Sequence, residues 1–387
     1  MYSNLTKISE SVSVSFADYV RKREAEGLQL IKMQTGDPDF ATHSSIVKAA
    51  ETAMASGLTK YCESRGLKIL RSAIACKLKS ENGIAADPDR EILVTHGAVH
   101  AINLMIRAVA ESGDEVIVCE PYWRTYVSDV ILSGATPIVV KLDSDSGFQL
   151  DADKILSAIT PRTRAIVINS PNNPTGAVYD ERQLRALATA AAKRGIFLIS
   201  DEVYENIVFE NRRHYSPGSD PAVAHFVATA FSFSKTHAMT GWRIGYLVAN
   251  HSIIDALLKL SQYSVTSLSP FIQLAAATAL TDSEAQAYSQ KMRTEYETRR
   301  SLIANKTKGT WLEEAMPVPQ GTFYTLIDCT PLATPSDELA RHLIDRAGVA
   351  LTPGIAFGDS MDNYLRMCFA TSEQNIERSI NALLDLN

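Results

Sequence analysis

The stretch Ala165-Ile166-Val167-Ile168-Asn169-Ser170-Pro171-Asn172-Asn173-Pro174-Thr175-Gly176 joins two kinds of pattern. Its first half is a short apolar run rich in Ile and Val, the composition of a buried strand. Its second half is built from Asn, Pro, Thr and Gly, which are turn formers. Pro171 and Pro174 fix φ and stiffen the loop, which holds the Asn173 amide in one place. On residue chemistry alone, the segment reads equally as a plain strand-to-helix turn and as part of a site.

The same design repeats on either side of it. Glu91–His96, Glu115–Glu120, Thr136–Leu142 and Ile196–Asp201 also read as buried strands, followed by apolar runs at Phe226–Phe231 and Ile244–Ala249. Amphipathic stretches at Ala98–Ala110, Trp123–Leu132, Ala152–Ile159 and Asp180–Lys193 separate most of them. Strand–helix alternation of this kind is the signature of an α/β fold with a mostly parallel sheet sandwiched by helices. Ligands on such sheets bind at the carboxyl ends of the strands.

After residue 283 the pattern changes. Ser283–Lys306 is a long charged stretch with helical character, opened by Ser283 and Gln286 at capping-box spacing. A strand at Gly321–Asp328, a helix at Asp337–Ala347, a strand at Tyr364–Thr371 and a closing helix from Ser372, with Thr371 and Gln374 as its caps, follow. This reads as a second, smaller α+β domain joined to the first by a long helix.

Composition bounds the class. The chain has 387 residues, 45% hydrophobic and 21% charged, with a formal charge of −6. A nucleic-acid binder carries a basic surplus, so nucleic acid is excluded as a partner. No apolar run is long enough to cross a membrane, and Met1 to Phe16 lacks the apolar core of a secretory signal. The five cysteines, Cys62, Cys76, Cys119, Cys329 and Cys368, form no C-x-x-C pair, which suits reduced thiols in a cytoplasmic protein. The eight histidines are scattered, so no metal site is expected.

Polar residues just past the strand ends carry the chemistry, each with a plain structural alternative. Asp201 ends an apolar run, where an unpaired carboxylate is costly, and an internal Arg partner is the ordinary explanation. Tyr204 follows three residues later and shares a face with Asp201 if the chain turns helically. Lys235, in Ser232-Phe233-Ser234-Lys235, is either a solvated surface residue or a partly buried amine able to form a Schiff base. Arg243, in Gly241-Trp242-Arg243-Ile244-Gly245, is a weak signal by itself. Arg366 points away from the face shared by Leu365, Met367 and Phe369, and wants either an internal carboxylate or a substrate carboxylate.

Together with Gly36-Asp37-Pro38-Asp39-Phe40, these pieces occur in an order that resembles the fold type I aminotransferases using pyridoxal 5′-phosphate, class I/II, aspartate-aminotransferase-like. The resemblance spans nearly the whole chain, from about residue 11 onward. It implies a large cofactor-binding domain, 41–285, and a small domain assembled from 1–40 and 286–387. It implies that Lys235 holds the cofactor as a Schiff base and then acts as the base at the substrate Cα. Asp201 would face the pyridine nitrogen, Asn173 and Tyr204 the phenolic oxygen, and Trp123 would stack on the ring. Gly97, Ala98 and Val99, opening a helix, would receive the phosphate with Ser232, Ser234 and Arg243. Tyr61 would reach the phosphate of the partner subunit, implying a homodimer with shared active sites. Arg366, with Asn173, Trp123 and the backbone of Gly36, would bind the substrate.

Val99 stands where relatives offer a hydroxyl, or a lysine in aspartate-specific members; His96 and Arg124 are the nearby polar residues, the latter read as a solvated helix residue. Ser13–Phe16 would cover the substrate. The implied activity is transfer of an amino group between an L-amino acid and a 2-oxo acid. A lyase, cyclase or oxidase on the same scaffold would use the same residues.

Overall fold

The structure, a computed structural model, describes Thr6, Ile8 and residues 10–386. Residues 1–5, 7 and 9 of the expected 1–40 segment, including Lys7, lie outside the described residues.

Twelve strands are present among the described residues: β1 (Ile31–Lys32), β2 (Ile92–Thr95), β3 (Glu115–Glu120), β4 (Thr136–Lys141), β5 (Thr163–Asn169), β6 (Phe197–Asp201), β7 (Val227–Ser232), β8 (Gly245–Val248), β9 (Tyr324–Asp328), β10 (Val349–Ala350), β11 (Thr352–Pro353) and β12 (Tyr364–Cys368). Strands β2 to β8 form one sheet in the order β2-β8-β7-β6-β5-β3-β4. Only β8 runs against the others, pairing antiparallel with both β2 and β7. The sheet is therefore mostly parallel, flanked by helices as expected of an α/β fold.

Burial explains the near-continuous apolar runs. Ile166 and Ile168 pack into one core cluster, while Ala165 and Val167 pack into another on the opposite face. A strand covered on both sides cannot alternate polar with apolar residues, so it reads as a solid apolar word. Thr136–Lys141 departs from this expectation: it is the sheet edge, and Val139 is exposed.

The second sheet, β11-β12-β9, is antiparallel. Beside it β1 pairs in parallel with β10, bringing an early segment against a late one. A single core cluster runs from Phe16 and Val20 through Tyr296 and Phe323 to Ile380 and Leu383. The long helix is Ser283–Thr307, 25 residues, or about 37 Å at 1.5 Å per residue.

Its start corrects the expected capping box. The cap is Asp282, whose carboxylate accepts from Ala285 N at 2.8 Å, while Gln286 turns back to the Leu280 carbonyl. A carboxylate caps more strongly at a dipole's positive end, and Asp282 takes that place. Likewise the last helix, Glu373–Leu384, is capped by Ser372, whose hydroxyl accepts from Asn375 N at 3.3 Å; Thr371 instead accepts from the Asn375 side chain.

Candidate active site

The parallel register places the polar strand ends side by side. Asn169 is level with Asp201, and Asp201 with Ala230. Beyond them, the Ser170–Gly176 loop follows β5, a tight turn follows β6, and the short helix Phe233–Thr236 follows β7. From the small sheet β12 brings Arg366 across. Together they bound a cavity of about 360 Å³. Of the residues singled out in the sequence, Gly36, Ala98, Val99, Trp123, Asn173, Asp201, Tyr204, Ser232, Ser234, Lys235, Arg243 and Arg366 all line it.

Lys235 is partly buried and its Nζ donates to the Gly36 carbonyl at 2.6 Å. Burial lowers its pKa to about 8, so a large share of the amine is uncharged at mildly alkaline pH. A solvated surface lysine has neither feature. Gly36 has no room for a side chain: a Cβ there would lie 1.9 Å from the Tyr324 hydroxyl.

Asp201 is buried, 3% exposed, and pairs with no arginine among the described residues. Its partners are the Tyr126 hydroxyl at 2.6 Å and Val203 N at 3.2 Å. Burial raises its pKa to about 6, with those two hydrogen bonds pulling the other way. A buried carboxylate without a cation is expensive and calls for a positive ligand group. Tyr204 lies on a turn, not a helix, and its hydroxyl is 2.9 Å from that of Tyr324.

Arg366 also lacks an internal carboxylate among the described residues. Its guanidinium donates to Asn173 Oδ1 at 3.0 Å, to the Gln34 carbonyl at 2.6 Å and to Thr352 Oγ1 at 3.1 Å. Tyr324 and Phe357 flank it, with ring centroids 4.4 and 4.9 Å from the guanidinium carbon. Its buried Nε has no partner. The cation is thus aimed and stacked but not neutralised.

At the other end of the cavity the helix Gly97–Val109 begins, with Gly97 at φ +74. Arg243 reaches over this start: a Cβ on Gly97 would meet Arg243 Nη2 at 2.9 Å. Ser232 Oγ accepts from Ser234 N at 3.1 Å, capping the Lys235 helix. Free helix N–H groups, a guanidinium and serine hydroxyls make a cradle for an anion.

Tyr61 is not at this chain's cavity; it is 87% exposed. Arg124 is not a solvated helix residue: it is half-buried and donates to the Ile355 carbonyl at 3.0 Å. Phe16 lies in the core and does not face the cavity, whereas Ser13 lines it. Sequence reading missed Tyr126 and Tyr324, whose roles depend on which chain segments meet; Tyr126 does follow Trp123 by three residues, a one-turn spacing. Among the described residues no group of His, Cys, Asp and Glu could hold a metal ion.

An amine, a buried anion, an anion cradle and an unneutralised guanidinium in one cavity suit a phosphorylated carbonyl compound with a cationic ring. Residues 29–383 match the family described as Aminotransferase class I and II. The chain belongs to that family. Class I and II aminotransferases are pyridoxal 5′-phosphate enzymes, and this chain is a member that moves amino groups between amino acids and 2-oxo acids. It is 39% identical to the probable aspartate/prephenate aminotransferase of Thermus aquaticus, over 97% of this chain and 95% of that protein. It is 35% identical to the aromatic-amino-acid aminotransferase 2 of Thermococcus litoralis, over 93% and 92%. The solved aspartate aminotransferase of Thermus thermophilus with maleate superposes with a TM-score of 0.94 at 36% identity, covering 100% of this chain and 99% of that one.

Proposed function

We propose that this aminotransferase holds pyridoxal 5′-phosphate in the cavity described above and takes an amino acid with an uncharged, apolar or aromatic side chain. The buried carboxylate of Asp201, which pairs with no arginine among the described residues, carries the cofactor assignment, because a positively charged ring nitrogen would compensate its charge. Gly97, Ala98, Val99, Ser232, Ser234 and Arg243 hold the phosphate; Asn173 and Tyr204 hold the phenolic oxygen; Trp123 covers the ring. Bound there, the cofactor supplies a carbonyl for amine exchange and a protonated ring that accepts an electron pair from Cα.

The chain's own residues do the rest. Arg366, held by Asn173, Gln34 and Thr352, clamps the substrate α-carboxylate and so orients Cα. With its amine free, Lys235 would act as the base that takes and carries the proton of the substrate Cα. Asp201 keeps the ring nitrogen protonated, since an adjacent anion favours the cation.

The side-chain preference rests on the wall composition. Among the described lining residues the cations are Lys235, Arg243 and Arg366, each already engaged. Of the other lining residues, Ala17 is apolar and Ser13, Thr35 and Thr240 carry only hydroxyls, so among the described lining residues no further cation stands ready to pair with a second carboxylate.

We further propose a homodimer with Tyr61 completing the partner's site, a cytoplasmic location suited to five free cysteines, and a division into 41–285 and the paired ends 1–40 and 286–387, supported by the β1–β10 pairing. The purified protein mixed with a panel of amino acids and no oxo acid tests the reading. Stoichiometric pyridoxamine phosphate and oxo acid, formed fastest from neutral amino acids such as phenylalanine or leucine, is the expected result. Ammonia release, ring closure or oxygen uptake over many turnovers would favour a lyase, cyclase or oxidase. Aspartate or glutamate outpacing every neutral amino acid would overturn the side-chain assignment alone.

A further inference from the structure

The turn that follows β6 has two faces. Asp201 and Tyr204 line the cavity, while Glu202 and Glu205, one residue later in each case, do not. Glu202 is 0% exposed and accepts from Ser200 Oγ at 2.8 Å, from His214 Nε2 at 2.8 Å and from Ser216 Oγ. Glu205 accepts from Lys77 Nζ and from Asn82 Nδ2. Asn82 ties the two carboxylates together, since its Nδ2 also reaches Ser216 Oγ at 3.0 Å and its Oδ1 accepts from Lys77 at 2.8 Å.

Lys77 is a buried lysine, rare in a core, that ends the helix Lys68–Lys77 and lies 4.7 Å from the Phe231 ring centroid. Phe231 belongs to β7, which leads to Lys235. Asn82 comes from the wide turn Leu78–Asn82 that follows the same helix. Buried ion pairs bring little net stability over apolar residues of the same volume, so stability alone does not account for one here. Their geometry, however, is exacting, and this one grips the back of the turn that presents Asp201 and Tyr204.

We propose that Lys77, Glu205 and Glu202 are positioning residues that fix the Asp201–Tyr204 turn and so set the grip and the electronics of the cofactor site. The inference rests on the reading that Asp201 and Tyr204 face pyridoxal phosphate. None of the three lines the cavity; they act through the turn. Glu202 also acts through space, since burial first, and the Glu202 anion after it, raise the Asp201 carboxyl.

Three variants of the full-length protein test this: Lys77→Met/Glu205→Leu, Lys77→Gln/Glu205→Gln, and Glu202→Gln. Each is measured for thermal stability, for affinity of the apoprotein for pyridoxal phosphate, and for the pH midpoint of the visible absorbance of the reconstituted protein. The apolar pair is expected to stay folded yet bind pyridoxal phosphate at least about tenfold more weakly, with a displaced absorbance midpoint. The glutamine pair, which keeps hydrogen bonding, is expected to recover most of that affinity. An apolar pair that folds and matches wild type in both affinity and midpoint overturns the proposal, as does a glutamine pair no better than the apolar one. If the apolar pair does not fold, Glu202→Gln decides: weaker pyridoxal phosphate binding, opposite to the effect of removing a neighbouring anion alone, supports positioning, and unchanged or tighter binding overturns it. Wild-type protein that takes up no pyridoxal phosphate would instead strike the site reading itself.

Discussion

Lys235 and Asp201, both lining the cavity, each depart from the ordinary chemistry of their side chains, and burial is the largest cause of both departures. For Lys235 the sign is simple: its pKa, lowered to about 8, makes the nucleophilic amine more abundant as pH rises through that value. The rate at which apoprotein takes up pyridoxal phosphate is therefore expected to climb between pH 7 and 9, followed at the Schiff-base absorbance; a flat profile contradicts it. Lys235→Ala is expected to lose that absorbance entirely while keeping its fold by circular dichroism. For Asp201 the charged form binds the ring cation, so affinity falls as pH drops through about 6. Tyr126→Phe removes a hydrogen bond that holds this pKa down. The fall should then begin at higher pH, with affinity at neutral pH several-fold lower, consistent with a hydrogen bond to a charged group of about 1.5–3 kcal/mol. Lys235, Asp201 and Arg366 were each legible as polar residues after apolar runs, but the sequence left their partners open. The structure removes the internal arginine for Asp201 and the internal carboxylate for Arg366, among the described residues.

Individual elements show where spacing speaks and where it does not. Apolar runs located every strand of the large sheet; for the inner strands full burial writes itself as unbroken Ile and Val, while the edge strand β4 is apolar in sequence yet partly exposed. Helix starts were less legible. Asp282 and Ser372 are the caps although Ser283 with Gln286 and Thr371 with Gln374 had the right spacing; neighbouring polar residues all satisfy the pattern, and local backbone geometry selects one. Gly245 shows a constraint that no spacing reveals. A Cβ there would lie 2.5 Å from the Phe231 carbonyl and 2.9 Å from Ala98 N, where the anion-cradling helix begins. Gly245→Ala is expected to destabilise by about 1–3 kcal/mol through overpacking. It should also weaken pyridoxal phosphate binding more than a remote variant of equal stability, measured by Tm and by affinity in parallel. Equal affinity at equal stability would show that the helix start does not move.

Across the whole molecule, the site is completed by segments far apart in the chain: Gly36 meets Lys235, and Gln34 meets Arg366. Tyr61 stays outside it, 87% exposed, which fits a residue whose destination is another subunit. Sedimentation is expected to give twice the 42.3 kDa chain mass. Tyr61→Phe should lower pyridoxal phosphate affinity several-fold; a monomer, or an unaffected Tyr61→Phe, would refute the shared site. The sequence by itself determined the α/β class, the family and most of the residues around the cavity, because local burial and motif order are one-dimensional properties. It also determined the net charge of −6, and among the described residues no helix is long and apolar enough to cross a membrane. Only the tertiary structure decided that β8 runs antiparallel, that Tyr126 supports Asp201, that Arg124 turns inward to Ile355, and that Lys77 and two glutamates grip the turn from behind. Those are contacts between distant residues. Their partners depend on how the elements pack, and no periodicity along the chain encodes that.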